Sequence, residues 1–158
     1  MKTPNILIIN RHPRLRTSLP FLKTSSSSIL DFLDLSETSV EITLCSDSFM
    51  RRENKKHMGR HTTTDVLSFP QIPPQKKRSA YQNRFLGDIL ISLDQASRQA
   101  SEQNLSLRQE VFFLIIHSVL HLIGYDHATK PDRLKMQKLE SEIWLFFKGS
   151  FLAISRRS

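Results

Sequence analysis

Three histidines stand close together in the segment His117–His127, HSVLHLIGYDH, in the pattern H-x3-H-x5-H. His117 and His121 are four residues apart, so on a helix their side chains lie on one face, one above the other. Gly124 favours the left-handed backbone that commonly ends a helix, and a turn there can bring His127 alongside. Three imidazoles that converge leave a fourth position open, as in catalytic zinc sites. The segment therefore predicts one zinc ion on a helix and the turn that follows it.

A metal ion held in this way can activate a water molecule and polarise a phosphoryl or carbonyl oxygen, so phosphodiester and peptide hydrolysis are both open to it. The extended zinc-protease motif H-E-x-x-H-x-x-G-x-x-H shares the histidine and glycine positions. That motif places a glutamate base where this chain has Ser118, and a serine does not accept a proton near neutral pH. Peptidase chemistry by that mechanism is therefore disfavoured, although a zinc peptidase remains an alternative.

The composition limits the environment and the partners. A length of 158 residues predicts a single domain over residues 1–158 with its own hydrophobic core. The formal net charge of +8 favours polyanionic partners such as nucleic acid or ribosomes. Cys45 is the only cysteine, which excludes an intrachain disulfide and favours a reducing cytoplasm. We expect no signal peptide, because the apolar run in MKTPNILIIN is too short for an h-region and no small-residue cleavage pattern follows. We also expect no membrane span, because no apolar run reaches the roughly 18 residues that a span needs.

Hydrophobic patterning indicates the elements that must position the histidines. Four short apolar or alternating segments predict strands, and five longer segments predict helices. Their order, β-α-β-α-β-β-α-α-α, indicates an α+β fold in which helices pack on a small mixed sheet. The predicted strands are Asn5–Asn10, Ser39–Cys45, Val66–Phe69 and Phe85–Ser92.

Serine residues mark the starts of three of the predicted helices. Ser18, Ser46 and Ser106 each precede a helical segment and can cap it. The helix after Ser106 carries the histidines and is apolar nearly all round, so it should be buried. Glu110 lies one position later than a capping box requires. The serines at 25–28 are expected on a solvated face of the first helix.

The last predicted helix opens at Pro131 and extends over PDRLKMQKLESEIWLFF. Proline is favoured in the first turn of a helix because its missing N–H is not needed there. The C-terminal RRS is expected to fray. The expected apolar stripe of this helix consists of Leu134, Leu139, Ile143, Phe146 and Phe147.

At these motifs the chain resembles the YbeY family of bacterial endoribonucleases, which act as rRNA maturation factors. The histidine segment is similar to the family pattern H-G-x-L-H-L-x-G-Y-D-H and departs from it only at Ser118. TDVLSFP (Thr64–Pro70) and LGDILIS (Leu86–Ser92) resemble two further family blocks, so the likeness covers roughly residues 38 to 147. It implies a four-stranded mixed sheet, zinc on the three histidines and single-strand-specific RNA hydrolysis. It also implies action at the 3′ end of small-subunit rRNA and in ribosome quality control.

The chain departs from the resembled family just before TDVLSFP. The family usually carries N-x-x-Y-R there, with an arginine thought to serve catalysis. Aligned from Asn54, the tyrosine position is His57 and the arginine position is Met58. Arg60 lies two residues further on, and we hypothesise that it supplies the missing cation from a shifted loop.

Several other charged groups are candidates for supporting roles. Asp65 and Asp126 either brace their own loops or orient a metal-bound histidine. A basic loop between residues 71 and 84 is either solvated or in contact with RNA phosphates. A non-catalytic ribosome-assembly factor with a structural zinc is the remaining alternative, and its partners would also be rRNA and ribosomal particles. The four cations of the loop are Lys76, Lys77, Arg78 and Arg84.

Overall fold

The computed structural model describes residues 3–155, with side chains as far as residue 149, so the expectation for the C-terminal RRS lies outside the described residues. Within this part of the chain, five α-helices and one four-stranded mixed sheet form an α+β fold, which confirms the predicted class. The strands are β1 (Asn5–Asn10), β2 (Ser39–Cys45), β3 (Val66–Pro70) and β4 (Phe85–Ser92). The helices are α1 (Leu19–Phe32), α2 (Asp47–Met58), α3 (Leu93–Glu102), α4 (Leu107–Leu122) and α5 (Lys130–Ser155).

The sheet has the strand order β1-β2-β4-β3. The strands β1, β2 and β4 run parallel, and β3 pairs antiparallel with β4 at one edge. Parallel neighbours require a crossover, which α1 supplies between β1 and β2. The predicted loop at 71–84 connects the antiparallel pair and contains one short 3-10 helix, Arg78–Tyr81. As a consequence, β3 and this loop both lie close to the end of α4.

The core lies between one face of the sheet and the helices. Val40, Ile42 and Leu44 alternate along β2, and each is at most 1% exposed, as their period-two spacing predicts. They pack in one cluster with side chains of α1 and α4. The burial of α4 on nearly all sides confirms the expectation for the histidine-bearing helix. The backbone that carries the first two histidines is therefore fixed by the core.

Each of the three predicted serine caps is confirmed. The hydroxyl oxygens of Ser18, Ser46 and Ser106 accept a hydrogen bond from a backbone N–H three residues later. The α4 start is a complete capping box, because Gln109 accepts in turn from the N–H of Ser106 at 2.9 Å. The sequence-based expectation considered only Glu110 as the capping partner, but the side chain of Gln109 makes the same contact.

Two expectations about helix faces hold only in part. The serines 25–28 do lie in α1, but Ser26 is only 1% exposed and faces the core. On α5, Ile143 is buried and Leu139 and Phe147 pack against the core as expected, but Leu134 is 56% and Phe146 66% exposed. Serine and apolar side chains occur both in the core and at the surface, so the packing of each helix decides which of them are buried. The inward positions of α5 include Met136, Glu140 and Ile143.

Within the described residues, no single helix combines the length and apolarity needed to cross a membrane. The consecutive helices α3 and α4 meet those criteria only as a pair, by length and composition, with a bend of 110° between them.

Candidate metal centre

His117 and His121 lie one turn apart near the C-terminal end of α4. Their ring centroids are 4.6 Å apart, and their Nε2 atoms approach to 3.1 Å. The spacing of four residues on a helix produces this contact directly. Both rings are partly exposed, although the helix beneath them is buried. The two side chains therefore project from a rigid core helix into an open cleft.

The turn after α4 brings the third histidine to the first two. Gly124 has φ +96°, which confirms the expected left-handed conformation. Its N–H donates to the carbonyl of His121, and the N–H of Tyr125 donates to that of Leu120, both at 3.0 Å. These two bonds form a Schellman motif, which satisfies carbonyls that the helix end leaves free. The ring of His127 consequently lies 5.1 Å from that of His121 and 6.0 Å from that of His117 (centroid to centroid).

Ligand atoms of His121, His127 and the intervening Asp126 lie within 4.8 Å of one another, a grouping that could hold a metal ion. His117 adjoins this group through its Nε2 contact with His121. Asp126 also accepts a hydrogen bond from the N–H of His127 at 2.7 Å, so it braces the turn. Its carboxylate is exposed and remains available on the cleft side.

The far nitrogen of each α4 histidine is occupied. His121 Nδ1 lies 2.9 Å from the carbonyl oxygen of Tyr125, which can only accept, so Nδ1 carries the proton. His117 Nδ1 lies 2.5 Å from the carboxylate of Glu140 on α5 and donates to it. In the neutral form each ring then presents an unprotonated Nε2. Two lone pairs that face each other at 3.1 Å repel unless a cation lies between them, so this donor set fits a metal ion.

The surroundings of His121 favour its neutral form. Burial, followed by the proximity of His117, lowers the pKa of His121 below its ordinary value. A neutral imidazole is the form that binds a metal.

Glu110, two turns earlier than His117 on α4, is 2% exposed, and burial followed by the charge of Asp65 raises the pKa of its carboxyl group.

Glu140 is the functional contact that sequence reasoning missed. It lies 23 residues from His117 and is 8% exposed, because it occupies the inward face of α5. The expected apolar stripe of α5 included Ile143 of that face but not Glu140. A carboxylate on the far nitrogen of a metal-binding histidine fixes its tautomer and orientation. The residues Met136, Glu140 and Ile143 are spaced so that they share one helix face. A charged residue between two apolar ones on that face was the sequence signal that could have indicated a buried contact for Glu140.

The histidines line one side of an open cleft of about 550 Å³, which we call the metal cleft. Its opposite wall is the segment 64–68, which includes Asp65 and the start of β3. Asp65 accepts hydrogen bonds from Thr64 at 3.3 Å and from Gln99 at 3.3 Å, so it is tied to its own loop and to α3. The proposed orienting role of Asp65 stays a prediction. Ser118 is fully buried within α4 and does not face the cleft.

Met58 lines the metal cleft at the end of α2 and is 49% exposed. It stands where the resembled family carries an arginine. Gly59 ends α2 with φ +66°, and Arg60 follows it as an exposed residue. Among the described residues that line the metal cleft, Arg60 is not included. A catalytic role for Arg60 stays a prediction, and it requires the side chain to reach across from this exposed loop.

The four cations of the predicted RNA-binding loop have different environments. Lys76, Lys77 and Arg84 are exposed. Arg78 is half-buried: its guanidinium donates to the carbonyl of Leu33 at 2.7 Å and to the hydroxyl of Tyr125 at 3.0 Å. Arg78 therefore holds the turn that carries His127, and RNA contact by any of the four stays a prediction.

Comparison with known proteins gives a consistent result. The family model described as Endoribonuclease YbeY matches residues 16–148. A protein named Endoribonuclease YbeY from Persephonella marina is 38% identical over 151 residues, which cover 93% of this chain and 95% of that protein. Another of that name from a Sulfurihydrogenibium species is 43% identical over 116 residues, 73% of this chain and 74% of that one. The solution structure of TM1509 from Thermotoga maritima is similar with a TM-score of 0.58 and 25% identity, covering 94% and 93% of the two chains.

Proposed function

Because this chain belongs to the Endoribonuclease YbeY family, we propose that it is a zinc-dependent endoribonuclease that cuts single-stranded RNA. The observation that carries the metal dependence is the pair of facing Nε2 atoms of His117 and His121. Zinc–nitrogen bonds of 2.0–2.1 Å in a tetrahedral site separate two ligand nitrogens by about 3.3 Å, close to the 3.1 Å found here. His127 completes the proposed ligand set.

When bound, zinc supplies Lewis acidity, which activates a water molecule and offsets charge that develops on a phosphoryl group. The residues of this chain supply the positioning. Glu140 and the Tyr125 carbonyl hold the Nδ1–H groups of two ligands, so both Nε2 atoms point into the cleft. Asp126 holds the backbone of His127 and keeps the third ring near the other two.

The second catalytic group is proposed to be Arg60. A cation near the reacting phosphate stabilises charge in the transition state. Met58 lines the metal cleft but cannot fill that role, and Arg60 is the next cation along the chain, in the exposed loop that follows α2. An Arg60→Ala variant should lose activity about 100-fold or more if Arg60 contacts the phosphate. Unchanged cleavage by that variant would remove Arg60 from the mechanism, with Arg52→Ala on α2 as the matched control.

We propose rRNA as the physiological substrate, at the 3′ end of the small-subunit molecule, and ribosomal particles as the setting. The net charge of +8 supports a polyanionic partner. The single buried cysteine, Cys45, supports a reducing compartment, so we assign the protein to the cytoplasm. One domain over residues 1–158 is likewise our proposal.

The direct test is incubation of zinc-loaded and chelated protein with labelled rRNA and with a matched duplex. We expect cleavage of the unpaired RNA by the zinc-loaded protein, and none after chelation or in a His121→Ala variant. Cleavage that is indifferent to chelation contradicts the zinc-hydrolase proposal. Cleavage of an unfolded protein substrate instead of RNA would favour the peptidase alternative, and RNA binding without cleavage would favour the assembly factor.

A further inference from the structure

A second cleft, of about 360 Å³, lies directly beside the metal cleft, and the proposed zinc chemistry does not use it. We call it the lysine cleft, after Lys76 and Lys135 on its rim. The two clefts share a boundary, so a ligand can extend from one into the other. The shared boundary residues are Pro74, Gly124, Tyr125 and Asp126.

The lysine cleft carries more positive than negative groups. Lys76, Arg78 and Lys135 line it, against Asp126 and Asp132. The carboxylate of Asp132 accepts a 2.6 Å hydrogen bond from Thr129, and that of Asp126 accepts from the N–H of His127. Arg78 is committed to Leu33 and Tyr125. The two exposed lysines are therefore the groups with charge to offer a ligand.

The boundary between the two clefts is held firmly. Arg78 donates to the hydroxyl of Tyr125, and its guanidinium lies 5.9 Å from the centre of that ring. At its other end Tyr125 accepts from His121 through its backbone carbonyl. Tyr125, which lines the lysine cleft, is thus hydrogen-bonded to the proposed metal ligand His121. The boundary of the lysine cleft therefore has a defined position relative to the proposed metal ligands.

We infer that the lysine cleft binds a backbone phosphate of single-stranded RNA, one that neighbours the phosphodiester positioned at the metal centre. This inference rests on the proposed function. Lysine ammonium groups are compact point charges that suit phosphate oxygens. A strand that occupies both clefts must bend around the shared boundary, and an unpaired strand can do so because its bases are unstacked. The second cleft therefore contributes both affinity and preference for unpaired RNA.

The test uses a Lys76→Gln/Lys135→Gln double variant of the zinc-loaded protein. Its probe is a fluorescein-labelled single-stranded oligoribonucleotide with phosphorothioate linkages that slow cleavage. By anisotropy, we expect the Kd to rise about tenfold at low salt. The slope of log K against log salt should fall by roughly 0.7 for each phosphate that the variant no longer neutralises. With unmodified RNA, KM should rise more than kcat falls, and the zinc affinity should be unchanged.

A Lys138→Gln/Lys148→Gln variant is the matched control, because it also removes two positive charges, from exposed positions on α5 outside the lining of the lysine cleft. We expect its Kd to stay within about twofold of wild type. An equal rise in the control and the double variant would mean that general charge, rather than the cleft, is responsible, and would overturn the inference. If the wild type cleaves RNA and the double variant matches it, the lysine cleft fails while the proposed function stands. A wild type that neither binds nor cleaves RNA overturns both.

Discussion

At the scale of single residues, His117 and His121 are oriented by their surroundings as the proposed metal ligands. Their Nε2 atoms face each other because both Nδ1–H groups already have acceptors, Glu140 and the Tyr125 carbonyl. One acceptor is charged and comes from another helix, and the other is a backbone carbonyl four residues further along. The orientation of each ring is therefore set independently of the metal, which lowers the cost of ordering the ligands on binding.

Replacing Glu140 tests this arrangement. A Glu140→Ala variant should bind zinc about 10–100-fold more weakly, because the ring of His117 loses the acceptor that fixes its tautomer. Competition with a chromophoric chelator measures the affinity, and circular dichroism checks that the fold persists. Glu140→Gln should lose less, since its amide oxygen can still accept. Glu142→Ala, an exposed neighbour on α5, should bind as wild type does. Unaltered affinity in Glu140→Ala would contradict the orienting role.

At the scale of elements, the turn after α4 and the loop between β3 and β4 form one unit. The hydroxyl of Tyr81 donates to the carbonyl of Ile123 at 3.0 Å and accepts from the N–H of Gln75 at 2.8 Å. Pro74 packs so closely on the turn that a Cβ at Gly124 would lie 2.7 Å from the Cβ of Pro74. The loop between β3 and β4, whose cations are candidates for RNA contact, therefore also supports the proposed metal site.

The Gly124→Ala variant tests the close packing of Pro74 on the turn after α4. It should lower the free energy of unfolding by about 2 kcal/mol or more, because it adds the steric cost of a positive φ to the contact with Pro74. Urea denaturation gives the value, and zinc affinity should fall with it as the turn shifts. Gly149→Ala in α5 is the control, since a Cβ there meets nothing within 4 Å. That change should be neutral or stabilise by up to about 1 kcal/mol. Equal effects would argue against the packed turn.

At the scale of the whole molecule, a polar network joins the carboxyl ends of the three parallel strands. His12, after β1, is 6% exposed and lies with Nε2 3.0 Å from one carboxylate oxygen of Asp94, after β4. The other oxygen of Asp94 accepts from the N–H of Asp47, after β2, at 2.8 Å. His12 Nδ1 accepts from the N–H of Leu15 at 2.8 Å, so Nε2 carries the proton. One carboxylate thus links the segments that follow three neighbouring strands of the sheet.

This network predicts a pH-dependent stability. Burial works to raise the pKa of Asp94, but hydrogen bonds from the Asp47 N–H and from His12 outweigh it, and the pKa is lowered in the folded protein. Its carboxylate therefore stabilises the fold above the unfolded-state pKa of about 3.9, and this contribution is lost as pH falls through the lower folded value. Asp94→Asn should cost about 1–3 kcal/mol at pH 7, because one acceptor is lost.

The cost of Asp94→Asn should shrink in acid, because below a pKa of about 3.9 the unfolded wild-type chain takes up a proton at this carboxyl group and is thereby stabilised. Urea unfolding at pH 7 and near pH 3 compares the full and the reduced contribution of the charge. Asp31→Asn, on the exposed side of α1, serves as the reference, and its effect should be small at both values. A cost for Asp94→Asn that is independent of pH would show that the network does not depend on the charge of Asp94.

Sequence by itself determined the element types, the serine caps and the histidine pair. These depend on interactions between residues a few positions apart: the i, i+4 spacing on α4, the Ser106 cap, and the left-handed Gly124. The family likeness followed from the same local blocks, and comparison with known proteins confirmed it. Local spacing fixes such features because backbone geometry is periodic.

The tertiary structure alone decided which distant residues meet these local features. Glu140 reaches His117 because α5 docks with Glu140 on the same inward face as Ile143, a position that a charged residue does not predict. Arg78, expected on an RNA-binding loop, is held by Leu33 and Tyr125 from two other parts of the chain. The lysine cleft likewise brings Lys76 and Lys135 together across 59 positions of sequence. Such contacts depend on how whole helices pack against each other. The sequence of one helix does not determine that packing, because it must fill the core together with all the other elements.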